Sequence, residues 1–227
     1  MIEKSNRIWE IDFIRGIALL LMIFFHIMYD LGDIYGYPVN YESGVIWVIG
    51  RVSAILFIII SGLSSTLSRN NPKRGLKVFA AALAISIVTY IAGRDYLIKF
   101  GILHFLGISM MIYPLLNKAD SLELIVGGVL SLLVGNLISK VKVQSGLLFP
   151  VGLTNKYFYS ADYYPVFPWI GVYIFGIVAG RFLYKERKSL FSFSMKDNPL
   201  LFLGRHTFMI YLIHQPLIII ILKVLIR

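Results

Sequence analysis

The sequence predicts an all-α integral membrane protein, a polytopic bundle of about seven transmembrane helices with its N-terminus in the cytoplasm. Three observations carry that prediction. Of 227 residues, 58% are hydrophobic and 15% charged, and the mean hydropathy is +0.77, which leaves too little polar surface for a water-soluble domain. Apolar stretches recur near the length, roughly 20 residues, that carries a helix across a hydrocarbon core. The basic residues fall in short clusters between those stretches, where they orient a membrane protein. The formal charge of +10 therefore bears on topology, and nucleic acid is not a predicted partner. A chain without Cys has no thiolate nucleophile, disulfide or Cys-ligated metal.

The first segment, Trp9 to Leu31, is long, and no small-x-small cleavage site follows it, so it is expected to be retained. Val45 to Leu67 is the second. The third, Leu76 to Ala92, follows the polar turn "SRNNPKRGLK". Phe100 to Leu116 and Leu122 to Ile138 are shorter and are separated by "NK". Two prolines in "PVFPWIG" shape a non-helical start to the sixth, Val166 to Tyr184. Within it, Gly176 and Gly180 form a small-xxx-small face suited to close helix packing. The seventh runs from Leu200 to Leu225. No linker or soluble region remains, so residues 1–227 read as a single membrane domain.

Lys4, Arg7, the clusters at 69–77 and 185–196, Lys118 and Arg181 fall on one side of this arrangement. Arg94, Lys99, Lys140, Lys142, Lys156, Lys223 and Arg227 fall on the other. The first group is the larger, which predicts that its side is cytoplasmic.

The first segment carries ionisable residues at membrane depth, where each is costly and marks a polar cavity or a partner. Arg15 and His26 are 11 residues apart, which puts them on one helix face about 16 Å apart in depth. Asp30 follows His26 at i+4, within reach of an imidazole nitrogen whose tautomer it would fix. Arg15 also reads as a snorkelling anchor paired with Asp12, and His26 as a neutral interhelical hydrogen-bonding residue. In "LGRHTFMIYLIHQP", Arg205 and His206 lie near the cytoplasmic boundary. His214 lies about 13 Å deeper, at a depth comparable to His26. Pro216 removes a backbone hydrogen bond beside it, and His214 alternatively bonds Gln215 or a neighbouring helix. Arg51, His104, Asp162 and Trp169 are expected to line the outer side, with Arg51 and Asp30 as the simplest ion pair. No metal-ligand spacing, dinucleotide loop or phosphate loop is present, so no metal site is predicted.

"RIWEIDFIRGIALLLMIFFHIMYDL", "FIIISG", "DYYPVFPWIGVYIFGIVAG" and "LGRHTFMIYLIHQP" together resemble the heparan-alpha-glucosaminide N-acetyltransferase-like family and the broader transmembrane acyltransferase superfamily, in which an Arg, ten residues and a His mark the first helix. The resemblance covers nearly the whole chain. It implies acyl transfer from cytoplasmic acetyl-CoA to a sugar or glycan amine or hydroxyl on the other side of the membrane. Carried over by motif, His26 is the catalytic His and Arg15 a donor-side residue. The lysosomal member places its catalytic His in the lumenal region after the first helix, whereas "GDIYGYPVNYESG" here has none.

Residues and resemblance combine into one expectation. Arg15, Arg205 and His206 hold the acetyl-CoA phosphates. His26 with Asp30 is the general base, and His214 an oxyanion donor or alternative base. Arg51, His104, Asp162 and Trp169 contact the acceptor. A transporter or flippase for an anionic sugar, lipid or proton is the alternative use of the same residues. The expected setting is a prokaryotic cytoplasmic membrane, with the lipid bilayer as partner and a homo-oligomer left open.

Overall fold

The computed structural model describes residues 7–226, so Lys4 and Arg227 of the charge argument lie outside the described residues. Eight α-helices occur among them: α1 (Trp9–Asp33), α2 (Gly44–Leu67), α3 (Asn71–Ala92), α4 (Ile102–Leu116), α5 (Ser121–Ile138), α6 (Val166–Leu183), α7 (Pro199–Arg205) and α8 (Thr207–Leu225). Six of these, α1, α2, α3, α5, α6 and α8, are long and apolar enough to cross a membrane, and α4 is a shorter apolar helix. The protein is an all-α polytopic membrane bundle.

Large apolar side chains point outward along these helices. Leu83, Ile87, Val88 and Ile91 on α3 and Val129, Leu130, Leu133 and Leu137 on α5 are exposed. In water such continuous faces would drive aggregation; in lipid they are the solvated surface.

The chain forms two compact units, one of the described residues up to Ile60 together with those from Glu186, the other of Ser61–Lys185. In the first, α7 lies against the first turns of α1 at backbone distance. A Cβ on Gly16 would collide with the Leu200 carbonyl oxygen, and one on Gly204 would collide with that of Asp12. Ser53 on α2 donates to the Ala18 carbonyl (2.9 Å), tying α2 to α1. The buried Glu10 carboxylate receives Ser189 Oγ (3.0 Å) and the Leu190 N–H (2.8 Å), and Trp9 Nε1 donates to the Phe193 carbonyl (3.1 Å). These contacts fasten the segment that leads into α7.

The second unit is built on the pairs α3–α4 and α5–α6. Glycines again set the approach: a Cβ on Gly75 would meet the Gly107 carbonyl at 2.6 Å, and one on Gly171 would meet that of Gly128 at 2.6 Å. The small face on α6 is used as expected, since a Cβ on Gly62 of α2 would lie 3.1 Å from Gly176 and one on Gly180 would lie 3.0 Å from the Leu63 carbonyl.

Two boundaries differ from the sequence expectation. α3 starts at Asn71 because Asn70 caps it, accepting from the Lys73 N–H, with Pro72 in the first turn. The single helix expected over Leu200–Leu225 is divided at His206 (φ −107°, ψ 13°). Side chains add to the backbone bonds there: Thr207 Oγ1 donates to the carbonyls of Leu203 (3.0 Å) and Gly204 (2.8 Å), and His206 Nδ1 to that of Phe202 (2.9 Å), while the His206 N–H also reaches Phe202 (3.1 Å) and Leu203 (3.2 Å).

Backbone-on-backbone packing leaves no side chain to move aside, so Gly204→Ala and Gly16→Ala should each destabilise the protein by about 3 kcal/mol or more. Gly127 on α5 has open space where a methyl group would project, so Gly127→Ala should be neutral or stabilising by up to about 1 kcal/mol. Thermal unfolding of the three variants in detergent checks this ranking.

Candidate active site

His26 and His214 meet. Their rings lie edge to face with centroids 4.8 Å apart and planes at 86°. His26 is half-buried and His214 buried, at 7% exposure. Each ring is oriented by its own helix: His26 Nδ1 bonds the Met22 carbonyl (2.9 Å), and His214 Nδ1 bonds the Tyr211 carbonyl. A carbonyl oxygen only accepts, so both neutral rings carry their proton on Nδ1 and present Nε2 as a lone pair. His214 Nε2 is buried without a hydrogen-bond partner. Each ring therefore keeps one nitrogen able to accept a proton.

Asp30 does not orient His26. Its carboxylate is fully buried, at 0% exposure, and receives Gln215 Nε2 at both oxygens, 2.7 and 2.9 Å. The geometric reason is that the preceding-turn carbonyl already takes His26 Nδ1, while α8 brings the Gln215 amide against Asp30. The Arg51 guanidinium lies over the Trp47 ring, 5.1 Å from its centroid.

Near the start of α1, Asp12 is a buried carboxylate, at 5% exposure, that gathers two guanidiniums. Arg15 Nη1 donates to it at 2.9 Å, the partnership anticipated at i+3, and Arg205 Nε lies 3.9 Å from its other oxygen. Arg205 also pairs with the exposed Asp197 at 2.7 Å. Arg15 and Arg205 are thus brought together, and each remains partly open to solvent. His206 is exposed beside Arg205, its ring tilted against Phe202 with centroids 4.3 Å apart.

His104, Asp162 and Trp169 belong to the second unit. His104 Nδ1 accepts the Gly101 N–H (3.2 Å), which leaves the proton on Nε2 to donate to Ser86 Oγ (3.2 Å). Asp162 accepts the Ile102 N–H (3.0 Å). Both side chains satisfy orphan N–H groups at the start of α4. Trp169 packs on Tyr164, with centroids 4.9 Å apart. Gln215, the partner of Asp30, is not among the residues that the sequence singles out for the site. Its only signal there is an amide beside an intramembrane His and a Pro.

Burial pushes the Asp162 carboxyl up from 3.8 to about 6, the Ile102 N–H opposing the shift. The folded protein then holds a proton that the unfolded chain has lost. That contribution is fully present below about pH 4 and is lost as the pH rises through about 6. The melting temperature should therefore fall across this window, and Asp162→Asn should flatten the slope in a thermal-shift series from pH 4 to 7.

The half-buried His26 and the buried His214 thus lie ring against ring in a helical membrane bundle, and two guanidiniums gather near the other end of α1. The family model described as "Heparan-alpha-glucosaminide N-acetyltransferase, catalytic" matches residues 7–216, and the chain belongs to that family of membrane N-acetyltransferases. No curated protein and no solved structure was found to match it.

Proposed function

We propose that the protein transfers an acetyl group from cytoplasmic acetyl-CoA to an amine or hydroxyl of a sugar or glycan on the far side of a prokaryotic cytoplasmic membrane, with residues 1–227 acting as one domain. The observation that carries this reading is the His26–His214 pair, two rings held with Nε2 lone pairs turned from the backbone. Family membership supplies the reaction class.

His26 is assigned as the general base. As the acceptor attacks the thioester carbonyl, the bond from its nitrogen or oxygen to carbon forms and its proton passes to His26 Nε2. The tetrahedral intermediate collapses with cleavage of the carbon–sulfur bond, and coenzyme A leaves as thiolate. The proton held by His26 then passes to the departing thiolate, directly or relayed through Nε2 of the adjoining His214 ring, so that coenzyme A is released as the thiol and both rings return to neutral. A neutral imidazole suits this role because its ordinary pKa is close to working pH.

Arg15 and Arg205 are assigned to the donor's phosphates, with His206 beside them. Asp12 sets the two guanidiniums side by side, and planar guanidinium groups bind phosphate through paired hydrogen bonds. Arg51 is assigned to the acceptor. The polar atoms and rings of His104, Asp162 and Trp169 are engaged within the second unit, where they hold its loops.

Purified protein in nanodiscs, given radiolabelled acetyl-CoA and glucosamine as a probe acceptor, tests the reading. His26→Ala should lower transfer by about 10²–10⁴-fold while acetyl-CoA binding stays within about twofold. Arg15→Ala and Arg205→Ala should instead weaken acetyl-CoA binding about tenfold or more. A His26→Ala protein with full transfer would remove the central assignment.

A further inference from the structure

We propose that Gln215 is the positioning residue of the histidine pair: its amide, anchored on the buried Asp30 carboxylate, fixes the rotation of α8 that holds His214 edge-on to His26. The proposal rests on the reading above and deepens it.

A carboxylate only accepts hydrogen bonds. Asp30 is fully buried, so the Gln215 amide must present Nε2 to it; the two bonds at 2.7 and 2.9 Å fix which end of the amide is which. The other end, Oε1, is then turned away from Asp30, and it is buried without a partner. His214, the preceding residue, also has a buried, unpartnered acceptor at Nε2. Two such atoms in consecutive residues are costly to bury. A core built only for stability would have satisfied or removed them, whereas an incoming N–H or O–H group supplies the missing donor.

Position along the helices makes the link directional. His26 and Asp30 are one turn apart on α1, and His214 and Gln215 are neighbours on α8. The two helices are thus joined by two rungs, ring on ring and amide on carboxylate. Ring-on-ring contact resists rotation of α8 weakly, because an edge-to-face pair tolerates sliding. Hydrogen bonds from one amide to both oxygens of a carboxylate do not tolerate it. Pro216 follows immediately and deprives the Leu212 carbonyl of its helical donor, so the backbone here is less able to hold its own orientation. The Asp30–Gln215 rung supplies what it lacks.

Three variants separate positioning from stability. Q215L removes the rung and leaves Asp30 buried without its donor. D30L/Q215L removes both polar groups, which restores an apolar contact and recovers stability but not the orienting bonds. D30N/Q215E rebuilds the rung with its polarity reversed, the amide donating from α1 to a carboxylate on α8. Transfer from acetyl-CoA to glucosamine is measured in each, alongside the nitrogen resonances of [¹⁵N]histidine-labelled protein, which has only four histidines.

Q215L and D30L/Q215L should lose at least tenfold in kcat with the KM for acetyl-CoA within about twofold, and D30N/Q215E should return to within about threefold of wild type. The His214 resonances should move in the first two and return in the third. Should Q215L fail to fold, D30L/Q215L carries the comparison. Wild-type kcat in D30L/Q215L, or a D30N/Q215E protein as impaired as D30L/Q215L, overturns the proposal. If wild type itself transfers nothing, the acetyltransferase assignment falls, and the resonances alone decide on Gln215: displacement and rescue uphold it, unchanged His214 signals overturn it.

Discussion

The contact of α7 with α1 constrains the rest of the first unit. At Gly16 and Gly204 the two backbones touch with no room for a methyl, so the angle and register of α7 are set by main-chain shape. Asp12 then fixes the same crossing electrostatically, holding Arg15 from its own helix and Arg205 from α7. Neither device alone would suffice: glycine contacts leave sliding along the helix open, and an ion pair at 3.9 Å tolerates rotation. Together they place His206, where the helix breaks, and so determine the direction in which α8 sets out. Eight residues further on, His214 reaches His26.

Charge placement follows from the same constraint. Ionisable groups in or near lipid are costly unless paired, and the first unit pairs each of its buried carboxylates in a different way. Glu10 takes backbone and hydroxyl donors, Asp12 takes guanidiniums, and Asp30 takes an amide. Only the middle arrangement places positive charge where solvent reaches it. That distribution sets two partly solvated guanidiniums near the start of α1 apart from the histidine pair and the amide-bound carboxylate further along it.

Much of this was legible in the sequence, for reasons that also explain what was not. Helix length against bilayer thickness is a strong constraint, so the spans of α1, α2, α5 and α6 match expectation within a few residues. Arg15 with Asp12 and the shared depth of His26 with His214 followed from helical periodicity alone. The break at His206 did not, because apolar residues at helical spacing give no sign of where the backbone leaves helical angles. Asp30 was assigned to the wrong neighbour for a related reason: i+4 spacing permits a contact with His26, but it says nothing of competitors from another helix. The bonds by which His104 and Asp162 cap α4 are visible only once the turn is built.

The choice of a carbonyl to orient each histidine has a further consequence. A carboxylate orienter fixes the tautomer and also stabilises the imidazolium, at the cost of burying a charge when the ring is neutral. A preceding-turn carbonyl fixes the same tautomer with a neutral dipole that is already part of the helix, so the resting site carries no added charge into the membrane. In the proposed reaction an imidazolium would then be less stabilised, which would favour prompt return of the proton. In a water-soluble enzyme solvent would soften that difference. At membrane depth it is large, and carbonyl orientation sets the tautomer of both rings without a carboxylate hydrogen-bonded to either of them.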